Sequence, residues 1–141
     1  MYPDDESLWK TLPGVANSTG NLAAHLAGNL QYFVGARLGN SGYVRDRERE
    51  FQRREGTRAE LVADLQATID AVEKYLPTLT ADDLARDYPE PVAGVTMNTG
   101  MFLLHLCAHA AFHLGQADYL RRALNADART AGTLPLKPLG R

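Results

Sequence analysis

Cysteine is almost missing from this chain: Cys107 is the single one. One thiol excludes an intrachain disulfide framework and fits a reducing compartment. An excess of positive charge is missing too. The formal net charge is −2, which argues against a general nucleic-acid binder, because such proteins carry a net basic footprint. The opening residues, MYPDDESLWK, lack the apolar run of a signal peptide, so a cytoplasmic location is expected. Repeats and low-complexity tracts are not evident. Met97 to Ala117 has neither a charged side chain nor a proline, but it includes three histidines, Asn98 and Gln116. It therefore reads as a buried helix of a soluble protein and not as a membrane span. The 141 residues make one domain, 1–141, long enough for one sizeable core.

Histidine is scarce as well, four in all, and three of them fall in one register: His105, His109 and His113. Four residues on a helix are a rotation of about 40° and a rise of about 6 Å, so neighbours in this series stack on one face with their rings converging. That is the spacing of a two-histidine metal bite. The stretch from Asn98 to Leu124 predicts a helix, with Thr96 or Asn98 as N-cap, many Ala and Leu, and two arginines in the last turns. Met101 to Gly115 carries no acidic or basic residue other than histidine. A helix apolar nearly all round is a buried one. Buried imidazoles are costly unless hydrogen-bonded or bound to something. A lone core histidine is commonly inert; three in register make that reading harder to sustain. Cys107, two residues from both His105 and His109, lies on the far side of the helix and reads as a buried, inert thiol.

The rest of the chain supplies partners for this helix. Residues 1–17 read as an N-terminal loop or short turn anchored by Trp9 and broken at Pro13-Gly14. A helix over about 18–38 carries Leu22, Leu26, Leu30 and Phe33 at core spacing, with His25 and Asn29 one turn apart on the edge of that stripe and Tyr32 beyond. Gly39 to Glu55 is a polar connector in which Arg45 to Glu55 has nine charged residues out of eleven. Such a mixed-sign run is ordinarily solvated surface; its functional reading is that Arg45 and Arg47, beside Tyr43, hold an anionic ligand group. Thr57 and Glu60 form a capping box before a helix of roughly 57–77, and Thr80 caps a short helix to about Ala85. Pro89 and Pro91 then force an extended passage that could pair as a short hairpin through Val95. The tail 126–141, with Pro135, Pro138 and leucines at 134, 136 and 139, has no helical periodicity and should dock as coil on the body or a neighbour.

Three long helices must bury one another's apolar faces, so the fold class is all-α, a helix bundle. His105 and His113 lie about 12 Å apart along their axis, too far to share one ion. One adjacent pair can bind, and His25 is the only histidine left to complete a set of three. Three imidazole nitrogens plus water leave an open position, as a catalytic ion requires.

HLCAHAAFHLGQADYLRR, with the earlier AAHLAGNL, resembles the DinB-like superfamily of small metal-binding four-helix proteins. The resemblance spans nearly the whole chain. It implies an up-down bundle with a lone histidine, here His25, and an H-x-x-x-H pair, here His109 and His113, followed by a glutamine, here Gln116. His105 then becomes a neighbour of the site or a core residue. The implied cofactor is a divalent first-row metal, nickel or zinc. Characterised relatives include S-transferases and isomerases using a low-molecular-weight thiol.

The chain departs from the family pattern at its start. It begins almost at the loop that follows the family's first helix and appears as a bundle without that helix. The expectation is a homodimer partner, an exchanged segment or the 126–141 tail over the groove. The functional expectation is a metal-dependent transferase acting on a small thiol and an electrophile, with no nucleic acid and no membrane as partner. Gln116 would orient His113 or the metal-bound water, Asn29 and Tyr32 would line the mouth, and Arg45 or Arg47 would hold a carboxylate of the thiol. The alternative is a non-catalytic metal-binding or assembly protein of the same fold.

Overall fold

A computed structural model describes residues 2–132, and its regular structure is helical. Helix α1 spans Thr19–Leu30 and runs on as a wider π-helical turn, Gln31–Ala36. A short helix α2, Arg47–Gln52, precedes the long α3, Arg58–Tyr75. Helix α4 is Ala81–Ala85, and α5 is Thr99–Asn125. The expected docking of the tail through Leu134, Pro135, Leu136, Pro138 and Leu139 lies outside the described residues.

Local sequence decides where these helices begin. The Ser18 hydroxyl accepts from Asn21 N at 3.1 Å, and Asn21 Oδ1 accepts in turn from Ser18 N, which satisfies donors the first turn leaves unpaired. Thr57 with Glu60 does the same for α3, and Asn98 Oδ1 accepts from Met101 N at 2.8 Å at the start of α5. Helix α5 stops where Ala126 takes a left-handed conformation at φ 49°.

The core has two parts. Tyr2, Leu8, Trp9 and Leu61 pack at one end, with Leu124 against them. Trp9 is the anchor: its indole Nε1 donates to Gly56 O at 2.8 Å, and a Cβ at Gly20 would lie 2.7 Å from its Cε3, so the ring seats directly on the α1 backbone. At the other end Val34, Tyr88, Phe102 and Leu106 form the second cluster, closed by Val72, Tyr75 and Leu76.

Three expectations need correcting. Helix α5 is not buried all round: Met101, Leu104, Phe112, Leu114 and Tyr119 are each more than half exposed, because no fourth long helix lies over that side among the described residues. Cys107 is exposed with them. The connector is not merely solvated surface, since α2 packs on α1 and buries Glu50. The extended passage does fold back on itself as expected: Val92 and Val95 exchange both backbone hydrogen bonds around Ala93 and Gly94, both at positive φ as in a two-residue hairpin turn, and Asp87 bridges Asn98. Among the described residues, no helix is long and apolar enough to cross a membrane.

Candidate metal centre

Helices α1 and α5 pack antiparallel, with Thr19 beside Ala117 and His25 beside His109. His25 stands at the middle of α1 with its ring turned into the seam. From α5, His109 and His113 meet it, because the 109/113 spacing stacks them on the face toward α1. The Nε2 atoms of His25 and His109 are 3.3 Å apart, and those of His109 and His113 are 3.1 Å apart. One ligand atom from each of the three rings lies within 4.8 Å of the others.

Two of the rings are fixed by their far nitrogens. Glu50 Oε2 accepts from His25 Nδ1 at 2.9 Å, and Gln116 Oε1 accepts from His113 Nδ1 at 2.7 Å. A proton held on Nδ1 leaves the Nε2 lone pair pointing inward, which is how outer partners set the tautomer of a metal-ligating histidine. Burial, then the positive charge available to His113, His25 and His105, lowers the His109 pKa to about 4, so this ring is neutral at neutral pH. Its buried Nδ1 finds no partner among the described residues. Lone pairs converging at about 3 Å repel one another unless a proton or cation sits between them. A first-row ion bound at roughly 2.0–2.1 Å from each nitrogen requires separations close to these. The donor set therefore fits a divalent ion of the kind imidazole prefers.

Glu50 is the residue sequence reading missed. Burial pushes its carboxyl up, but hydrogen bonds from Arg45 and His25 outweigh that and hold it below the usual carboxylate range. Arg45 donates through Nε to Oε1 at 2.7 Å and through Nη2 to Oε2 at 2.8 Å. Asn21 Nδ2 donates to the carbonyls of Glu50 and Arg53 and so ties α2 to the start of α1. Gly28 makes room, since a Cβ there would collide with the Glu50 carboxylate. A glycine inside a helix costs about 0.5–1 kcal/mol. One turn beyond His25, Gly28 was the available signal that another group comes close.

The centre opens into a cleft of about 760 Å³ walled by Phe33, Phe51 and Phe102. Asn29 faces it with a buried Oδ1 that has no partner among the described residues. Arg47 lines it, its guanidinium 5.1 Å above the Phe51 ring and without a carboxylate partner among the described residues. His105 lines it one turn from His109, its ring centroid 6.1 Å away, outside the group of three. Arg45 reaches the wall but its donors are turned to Glu50. Tyr32 is not brought to the cleft: its hydroxyl donates to Glu90 at 3.0 Å.

A family model described as the DinB superfamily matches residues 2–117, a span that ends just past Gln116 and takes in all the residues that build this centre. No curated protein and no solved structure matches the chain.

Proposed function

The chain belongs to the DinB superfamily, and from that premise we propose that it is a cytoplasmic, divalent-metal-dependent transferase that joins a low-molecular-weight thiol to an electrophile. The observation that carries the reading is the convergence of three Nε2 atoms whose two outer rings are held at Nδ1. His25, His109 and His113 would hold zinc or nickel. Such an ion supplies, when bound, a Lewis-acid position that lowers the pKa of a thiol entering it.

The chain's own residues do the rest. Glu50 and Gln116 keep two imidazoles aimed inward. Arg47, without a carboxylate partner among the described residues, takes a carboxylate of the thiol, and Asn29 Oδ1 accepts one of its N–H groups. The phenylalanine walls set an apolar surface beside the reacting sulfur. Overall, the thiol proton leaves to solvent, a sulfur–carbon bond forms, and the leaving group departs with its bonding electrons. Protein reconstituted with zinc or nickel should conjugate one of the common small thiols to a generic electrophile. No rate above background with any of them would overturn the reading.

A second reading is favoured by the exposed apolar side of α5. Here the ion is structural, and the protein acts through assembly, as a homodimer joined along that helix. Metal would then raise the melting temperature without leaving an exchangeable ligand position.

A further inference from the structure

A second cavity of about 500 Å³ lies at the other end of the α1–α5 seam, between residues 12–17 and α5. Leu12, Val15, Leu22, Tyr119 and Leu120 line it with Gln116, and none of the described lining residues is charged. Its floor is buried, with Leu22 at 4 % and Leu120 at 6 % exposure, whereas its rim, Val15 and Tyr119, stands open. The size and the mostly apolar wall with a few polar groups are those of a small-molecule site.

Its position relative to the metal centre gives it meaning. Leu22 precedes His25 by three residues, and Gln116 follows His113 by three, so on both helices the cavity is about one turn, roughly 5 Å, from the imidazoles. Asn17 lines both this cavity and the cleft that holds Arg47. Gln116, on the cavity wall, is the residue that holds His113. The two spaces therefore flank the centre and differ in character, cationic on one side, uncharged and mostly apolar on the other. Joining a thiol to an electrophile needs two subsites that meet at the sulfur.

We infer that the Leu12–Leu120 cavity is the subsite for the electrophile, and that it takes an uncharged apolar group of about ring size. The inference rests on the reaction proposed above. Charged groups are rejected because none of the described side chains there would compensate their desolvation.

Methyl-labelled full-length protein titrated with benzyl alcohol, and separately with benzoate, tests it. Benzyl alcohol should give saturable shifts at the Leu12, Val15, Leu22 and Leu120 methyls, and benzoate should bind there about tenfold more weakly or not at all. Ala123→Trp, which fills the cavity from an exposed position, should abolish the shifts. Val15→Asp at the rim should weaken them while leaving the fold intact. His109→Ala should leave them unchanged, since it touches only the metal centre. Equal affinity for both probes, shifts that survive Ala123→Trp, or shifts that follow protein concentration instead of probe would overturn the assignment, the last by pointing to a second copy of the chain. Absent binding in a protein that does conjugate thiols retires the cavity alone. Binding in a metal-loaded protein that conjugates none retires the reaction and the subsite with it.

Discussion

Glu50 Oε2 sits 2.9 Å from His25 Nδ1, and it can do so because residue 28, on the same helix face as His25, has no side chain. If this carboxylate fixes the ring, Glu50→Ala should weaken zinc or nickel binding by about 10–100-fold, the range for losing an outer partner of a metal ligand. It also leaves Arg45 without its carboxylate. Glu50→Gln keeps an acceptor for His25 and should lose less. Chelator competition measures the affinity, and imidazole nitrogen shifts report whether the proton stays on Nδ1. An affinity unchanged in Glu50→Ala would remove the carboxylate from the site.

The ligands themselves separate the two readings of the protein. His25→Ala and His109→Ala should each lower metal affinity by more than about 100-fold, beyond what an outer partner costs. With an exchangeable site the apo fold should survive, because Phe102, Leu106 and the Trp9 cluster pack without the imidazoles. Metal added at about 1,000 times its dissociation constant should stabilise the parent by about 4 kcal/mol, and this gain should vanish in both variants. Thermal unfolding with and without metal reads it. Variants that fail to fold without metal would favour a structural ion.

How much of this was legible from sequence depends on where each residue's partner comes from. The caps were readable because both halves lie within four residues, as in Thr57 with Glu60. The histidine register was readable because helix geometry alone converges His109 and His113. Glu50 was hidden inside a run of charges, where nothing local marks one acid as buried; only Gly28 hinted at its approach. Tyr32 bonds Glu90 from a loop 58 residues away, beyond any helical periodicity. The exposure of Leu104 and Phe112 was misread because local apolarity tells what a helix side prefers and not what lies over it.

Acid should destabilise the metal-free chain through His109. Its folded-state pKa of about 4 lies below the ordinary 6.5, so the unfolded chain takes up the proton first. Stability falls as pH drops from about 6.5 toward about 4, and above that window this residue adds no pH dependence. Urea midpoints measured across the window should show a slope that His109→Gln flattens. An identical slope in the variant would place the titration elsewhere.

The open side of α5 should mediate self-association. Met101, Leu104, Phe112 and Tyr119 fall on one stripe with Ala108, Ala111 and Gly115 between them, and among the described residues nothing lies within 4 Å of a Cβ at Gly115. The stripe holds no charge before Arg122, so an identical copy would meet no like-charge repulsion there. Met101, Leu104, Phe112 and Tyr119 are each more than half exposed, so pairing two copies along this stripe would remove apolar surface from water. Sedimentation velocity should show dimer growing with concentration in the parent and monomer throughout in Leu104→Glu. Because Leu104 is 65 % exposed, the substitution should leave the circular dichroism spectrum and metal binding as they were. A parent that stays monomeric at every concentration would refute the homodimer. A dimer that persists in Leu104→Glu would move the interface to another face.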